Sequence, residues 1–188
     1  MPFLVLLGLA ALVVFWAIAV YNRLINLKNQ KDNGWKQIYV QLKRRHDLIP
    51  NLVNTVRGAM EFERDTLTAV MEARAKAIGA EGPADASRKE GELQTALGRL
   101  FAVAENYPQL RANENVKMLQ EELSATENKI GFARQFYNDI ATKYNISRET
   151  FPANLIAGHF NFTAAELFEI SDAAERQVPG VDLSMKKS

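Results

Sequence analysis

The sequence predicts an all-α protein in which an N-terminal transmembrane helix continues into an antiparallel bundle of long helices. Three features carry that expectation: an uncharged apolar stretch from Pro2 to Tyr21, an apolar stripe at helical spacing from Leu24 to Met71, and a heptad seam from Val116 to Tyr144. None of the three shows the strict apolar/polar alternation that marks a half-buried strand.

The first stretch, PFLVLLGLAALVVFWAIAVY, is long enough to cross a hydrocarbon core of about 30 Å. Ala17-Ile18-Ala19 imitates a signal-peptide cleavage site, but a secretory signal opens on a basic region and no Lys or Arg precedes this stretch. Trp16 and Tyr21 stand where an interfacial aromatic belt lies, and Arg23 follows at the headgroup level. Lys28, Lys31 and Lys36 continue the basic flank, then Lys43, Arg44 and Arg45. The positive-inside rule therefore expects a single-pass protein of the bacterial inner membrane, N-terminus outside and the larger domain cytoplasmic. Membrane lipid is one expected partner. Lys43 to Arg45 could touch anionic headgroups if the first helix bends; in an unbroken helix they stand roughly 35 Å from the bilayer.

Leu24, Leu27, Trp35, Ile38, Leu42, Ile49, Leu52, Val53, Val56, Met60, Leu67, Val70 and Met71 keep one helical phase. Asp32-Asn33-Gly34 resembles a turn, yet the stripe crosses it in phase, so the helix is expected to continue. Pro50 removes a backbone donor and crowds the preceding turn, which predicts a kink near His46 to Ile49, or else a break. GAEGPADA, from Gly79, ends the helix. Ser87-Arg88-Lys89-Glu90 has the form of a capping box and predicts the next helix start, with Leu93, Leu97, Leu100 and Phe101 on its apolar face. That helix stops at Tyr107-Pro108.

The seam Val116, Leu119, Leu123, Thr126, Ile130, Ala133, Tyr137, Ile140, Tyr144 predicts a helix from Glu114 to Glu149, roughly 54 Å long at 1.5 Å per residue. Asn154 to Phe162 reads as an apolar loop packing back on a bundle end. Thr163 to Glu166 reads as a second capping box, opening a short helix with Leu167, Phe168 and Ile170. The expected organisation is an anchor at 2–21, a helical bundle at 22–178, and an extended or loose tail at 179–188.

Composition excludes several chemistries. A net charge of +1 is too balanced for a nucleic-acid binder. The absence of cysteine removes disulfides, thiolate metal sites and thiol nucleophiles. Di-iron bundles need Glu-x-x-His on facing helices, and neither His46 nor His159 has that partner. His46-Asp47 suggests a metal-phosphohydrolase pair but lacks the histidines to complete a ligand set. No cofactor, metal or catalytic residue is expected. Arg45, Asp47 and Asn51 near Pro50, with Glu127, Arg134 and Asn138 on the long helix, are the candidate polar network. They either fix helix register or form a surface for a partner or second protomer.

At these residues the chain resembles the LemA family. The run Gln41-Leu42-Lys43-Arg44-Arg45-His46-Asp47-Leu48-Ile49-Pro50-Asn51-Leu52-Val53, then Gly58 and Ala73-Arg74, looks like the family signature. Glu105 to Asn113 resembles its inter-helix turn. Glu127-Asn128-Lys129-Ile130, Ala133-Arg134, Tyr137-Asn138, Tyr144-Asn145 and Phe151-Pro152 resemble its long last helix. The likeness runs from the anchor to about Val181, with Leu183 where an aromatic is more usual. It implies an anchored cytoplasmic antiparallel bundle without known catalytic residues, and relatives in magnetosome-forming bacteria suggest membrane organisation by analogy. The sequence thus points to a non-enzymatic scaffold that self-associates as a homo-oligomer. The competing readings are an adaptor for another membrane protein, such as a protease or sensor kinase, and an enzyme with an unrecognised site.

Overall fold

The structure, a computed structural model, describes residues 2–60 and 62–169. These form α1 (Pro2–Arg57), α2 (Arg64–Ile78), α3 (Gly82–Ala104), α4 (Pro108–Arg111), α5 (Glu114–Glu149) and α6 (Ala153–His159), with no strand among the described residues. The all-α expectation holds.

The apolar start of α1 stands clear of the rest: its most apolar 18-residue window has mean hydropathy 2.9 and is 0% buried inside the protein. A soluble core helix of that composition would be covered, so this segment fits a single-pass membrane protein. From Leu24 onward α1 packs against α5. The two run antiparallel: the Lys31 ammonium lies 5.6 Å from the Tyr144 ring centroid, Trp35 and Tyr137 rings are 5.7 Å apart, and Arg44 meets Glu122 at 3.7 Å.

Both suspected weak points of α1 are helical, and each has a packing reason. Gly34 is buried, and a Cβ there would lie 3.4 Å from the Tyr137 Cα and from the Phe136 ring. It serves the close approach of α1 and α5 rather than a turn. Pro50 has no N–H for the carbonyl of His46, four residues back. Arg74 of α2 fills that role, its Nε donating to the His46 oxygen at 2.6 Å. A break at Pro50 is therefore ruled out. The chain turns instead between α1 and α2, inside the stretch whose stripe reads as continuous, because Met60, Leu67 and Val70 fold back onto Val53 and Val56. A stripe keeps its phase whether its second half continues or doubles back.

α3 begins at Gly82 rather than Ser87. Gly82 holds φ +77°, a left-handed conformation suited to glycine, and the Asp85 carboxylate accepts the Glu81 N–H at 3.0 Å. Ser87 and Glu90 are consequently interior helix residues, both buried, and not a cap. α5 has the expected bounds, and Asn113 caps it by accepting the N–H groups of Asn115 and Val116.

The C-terminal expectations are reversed. Asn154 to His159 is helical within α6, while 163–169 has no regular secondary structure instead of opening a helix. Ile170 and the tail at 179–188 lie outside the described residues.

Two apolar cores result. The distal core joins Ile49 to Met60 of α1 and its turn with α2, α3, Leu110, Val116 and Leu123. The membrane-proximal core joins Ile38 and Leu42 with Ala86, Ile130, Tyr137, Ala141 and Phe168.

Replacing Arg74 with Met should cost about 1–3 kcal/mol, the penalty of an unpaired buried carbonyl. Pro50→Ala restores an N–H to that carbonyl and should recover more stability in the Arg74→Met background than in the parent. A double-mutant cycle by denaturant unfolding of the full chain in detergent should give coupling above about 0.5 kcal/mol; additivity would contradict the repair.

Candidate functional site

Between the two cores lies a cluster of charged groups. Glu90 of α3 is 0% exposed and sits one turn from Ala86 on one side and Leu93 on the other. Arg45 of α1 donates through Nη2 to Glu90 Oε2 and through Nη1 to Glu127 Oε2 of α5. His46 Nε2 lies 2.7 Å from Glu90 Oε1. One guanidinium thus ties three helices together. Burial pushes the Glu90 carboxyl up, but the His46 hydrogen bond and the Arg45 charge outweigh it and hold the group below its ordinary value of 4.5.

A second set of contacts holds the non-helical segment 163–169 along the bundle as a strap. Asn145 accepts the Ala165 N–H at 2.8 Å and donates to the Ala165 carbonyl at 2.9 Å. Asn138 does the same to Phe168, at 2.9 and 3.0 Å. The Tyr144 hydroxyl donates to Thr163 O at 2.9 Å and that of Tyr137 to Glu166 O at 2.7 Å. Two Tyr-Asn pairs, seven residues apart on α5, therefore grip points three residues apart on the strap. The spacings match, because seven helical residues rise about 10.5 Å and three extended ones about 10 Å. Each Asn side chain pairs one backbone N–H and C=O that a helix would have needed for itself. Burial, with Glu166 and Asp32 nearby, pushes the Tyr137 phenol up to about 12, so it stays a donor at neutral pH. On its far side the strap reaches α3: Ser87 Oγ donates to Glu169 O, and Glu166 Oε2 accepts the Ala84 N–H at 3.4 Å.

The candidate network is thus partly assembled. Arg45 and Glu127 meet, and Asn138 belongs to the clamp. Asp47 is exposed and pairs with Lys43 at 3.2 Å. Asn51 is exposed, and Arg134 is half-buried with no ion pair among the described residues. Arg45 is consumed inside the bundle, while Lys43 and Arg44 stay exposed. Tyr21 packs between Phe160 and Phe162, while Trp16 and Arg23 stay exposed.

Sequence reasoning missed His46, Glu90, Arg74, Tyr137, Tyr144 and Asn145 in these roles. The repeated Tyr-Asn dipeptide was the available signal for the clamp. His46 and Asp47, adjacent in sequence, diverge to Glu90 and Lys43, which removes the metal-phosphohydrolase pairing. Among the described residues no three His, Asp or Glu groups converge as a metal site.

Glu90→Ala should destabilise the bundle by about 3–5 kcal/mol by leaving Arg45 buried without its main counter-charge. Replacing Arg45, His46 and Glu90 together by Met, Leu and Leu should recover most of that loss. Because the folded-state value of Glu90 is depressed, its contribution is fully present above pH 4.5 and disappears as pH falls through the lower folded value. The stability gap between wild type and Glu90→Gln should accordingly shrink only on the acid side of that point, as read by urea unfolding at stepped pH.

The LemA family profile matches residues 34–183. The chain is 24% identical over 203 aligned residues to magnetosome protein MamQ 2 of Paramagnetospirillum magneticum, spanning 93% of this chain and 75% of the relative. Protein LemA of Metamycoplasma hominis is 25% identical over 176 residues, spanning 90% and 79%. Magnetosome protein MamQ of Magnetospirillum gryphiswaldense is 21% identical over 184 residues, spanning 84% and 68%. The profile takes in the charge cluster, its Pro50 and Arg74 supports and the whole strap, and the chain belongs to the LemA family.

Proposed function

We propose that this chain is a non-enzymatic scaffold anchored in the bacterial inner membrane, N-terminus outside and bundle in the cytoplasm, which self-associates through the α1/α5 face. One observation carries the reading. On the α1/α5 pair, Phe132 is 76% exposed, Val40 59% and Phe136 45%, lining a cleft of about 490 Å³ rimmed by Lys36, Gln41 and Lys129. Large apolar side chains grouped on one face mark an interaction surface, whereas isolated ones do not. Confinement to a bilayer raises the effective concentration of such faces, so a modest homotypic contact suffices.

Two further considerations support a structural role. Arg45, His46 and Glu90 are buried and hydrogen-bonded to one another through Glu90, which supports a role in holding the helices together. Two of the relatives are magnetosome proteins, and an architectural task for this chain agrees with that company.

Full-length protein in detergent micelles at micromolar concentration should scatter light as a dimer or larger. Phe132→Glu should shift it toward monomer with unchanged helical circular dichroism. A monomeric wild type removes self-association, and capture of a different membrane protein by a photo-crosslinker at position 132 would then favour the adaptor reading.

A further inference from the structure

The end of the bundle nearest the span carries apolar side chains that neither core uses. Phe151 is 75% exposed, Leu155 63% and Phe160 52%. They sit on α6 and its two flanks, and α6 is packed against the start of the soluble part of α1. The Phe160 ring centroid lies 4.8 Å from that of Tyr21, and Phe162 lies 5.8 Å away. Ala17, Val20 and Tyr21 are half-buried and Leu24 is buried, one stripe along α1, while Ile18 and Ala19 between them are exposed. The segment after α5 therefore reaches the level of Tyr21, the last residue of the uncharged stretch.

The composition of this segment is a second, independent observation. From Thr150 to Ala165 there is no Asp, Glu, Lys or Arg, the longest such run after the span itself. A water-facing end of a bundle carries charges, as the distal turn does with Arg57, Glu63 and Arg64. An uncharged, aromatic-rich surface at the depth of Tyr21 instead has the chemistry of the headgroup-to-acyl boundary, where aromatic rings concentrate.

We infer that α6 and its flanks form a second membrane contact, in which Phe151, Leu155 and Phe160 enter the bilayer interface beside the span and are covered by lipid. The inference rests on the N-terminal helix spanning the membrane. Lipid is favoured over a second copy because the patch is continuous with the span through Tyr21, at a depth where acyl chains already surround the protein. The contact fixes which side of the rod faces the bilayer, which a single helix free to rotate about its axis leaves open.

The chain has no cysteine, so single-cysteine spin labels report without background. Full-length Leu155→Cys, and Phe151→Cys as an independent second site, are labelled in vesicles of phosphatidylcholine and phosphatidylglycerol. Leu9→Cys is the control within the span and Asn54→Cys the control in water. Collision rates with oxygen and with a water-soluble nickel chelate are compared by electron paramagnetic resonance. The oxygen-to-nickel ratio at 155 and 151 is expected several-fold above that at 54 and approaching that at 9. A ratio at 155 and 151 equal to that at 54 overturns the inference. So does low access to both reagents with dipolar broadening between labels, which identifies a second copy as the cover. A water-like ratio at position 9 overturns the spanning helix itself, and this contact with it.

Discussion

The arrangement depends on one buried carboxylate. Glu90 lies among apolar side chains and is tolerable there only because Arg45 and His46 meet both its oxygens. Its partners come from α1, and Arg45 reaches on to Glu127 of α5, so three helices must agree in register for the charges to meet. Apolar heptads alone permit slips of one heptad, two helical turns, since Leu42 and Ile49, or Leu123 and Ile130, are similar residues seven apart on their own helices. A slip would carry Glu90 into one of the cores, and burying an uncompensated ion costs several kcal/mol. The cluster thus selects one alignment from several that hydrophobic packing would accept, and it marks the border between the two cores.

The parts legible from the sequence are those where periodicity and burial coincide. The bounds of α5, the phase of α1 across Gly34 and the apolar span are direct readings of helical spacing. What escaped has two physical causes. Antiparallel return of a stripe on itself leaves the pattern unchanged, so the turn between α1 and α2 is hidden. Long-range pairing of polar residues is not encoded locally, so Ser87 and Glu90, at the right spacing for a cap, looked like one. Thr163 and Glu166 misled in the same way. Their backbone is claimed by Asn138 and Asn145 from α5, and Glu166 supports the start of α3 rather than a helix of its own. Of the six residues singled out as a network, Arg45 and Glu127 meet, and Asn138 acts elsewhere.

The strap shows how a helical bundle can close with a segment that is not helical. Tyr-Asn pairs treat the extended backbone as a neighbouring strand would, supplying a donor and an acceptor at each grip. Phe168, buried against Trp35 and the membrane-proximal core, adds the apolar half of the bond. Since Ser87 and Ala84 hold its other edge, the strap joins α3 to α5.

The unbroken course of α1 has a mechanical corollary. Beyond Tyr21 it continues for 36 residues to Arg57, a reach of roughly 54 Å. For a straight helix whose apolar segment spans a bilayer, a change of about 20° in inclination, within the range ordinary bilayers impose, would sweep the far tip by roughly 18 Å. In that arrangement bilayer thickness or curvature would be converted into lateral displacement of the far tip, as a mast magnifies the roll of a hull.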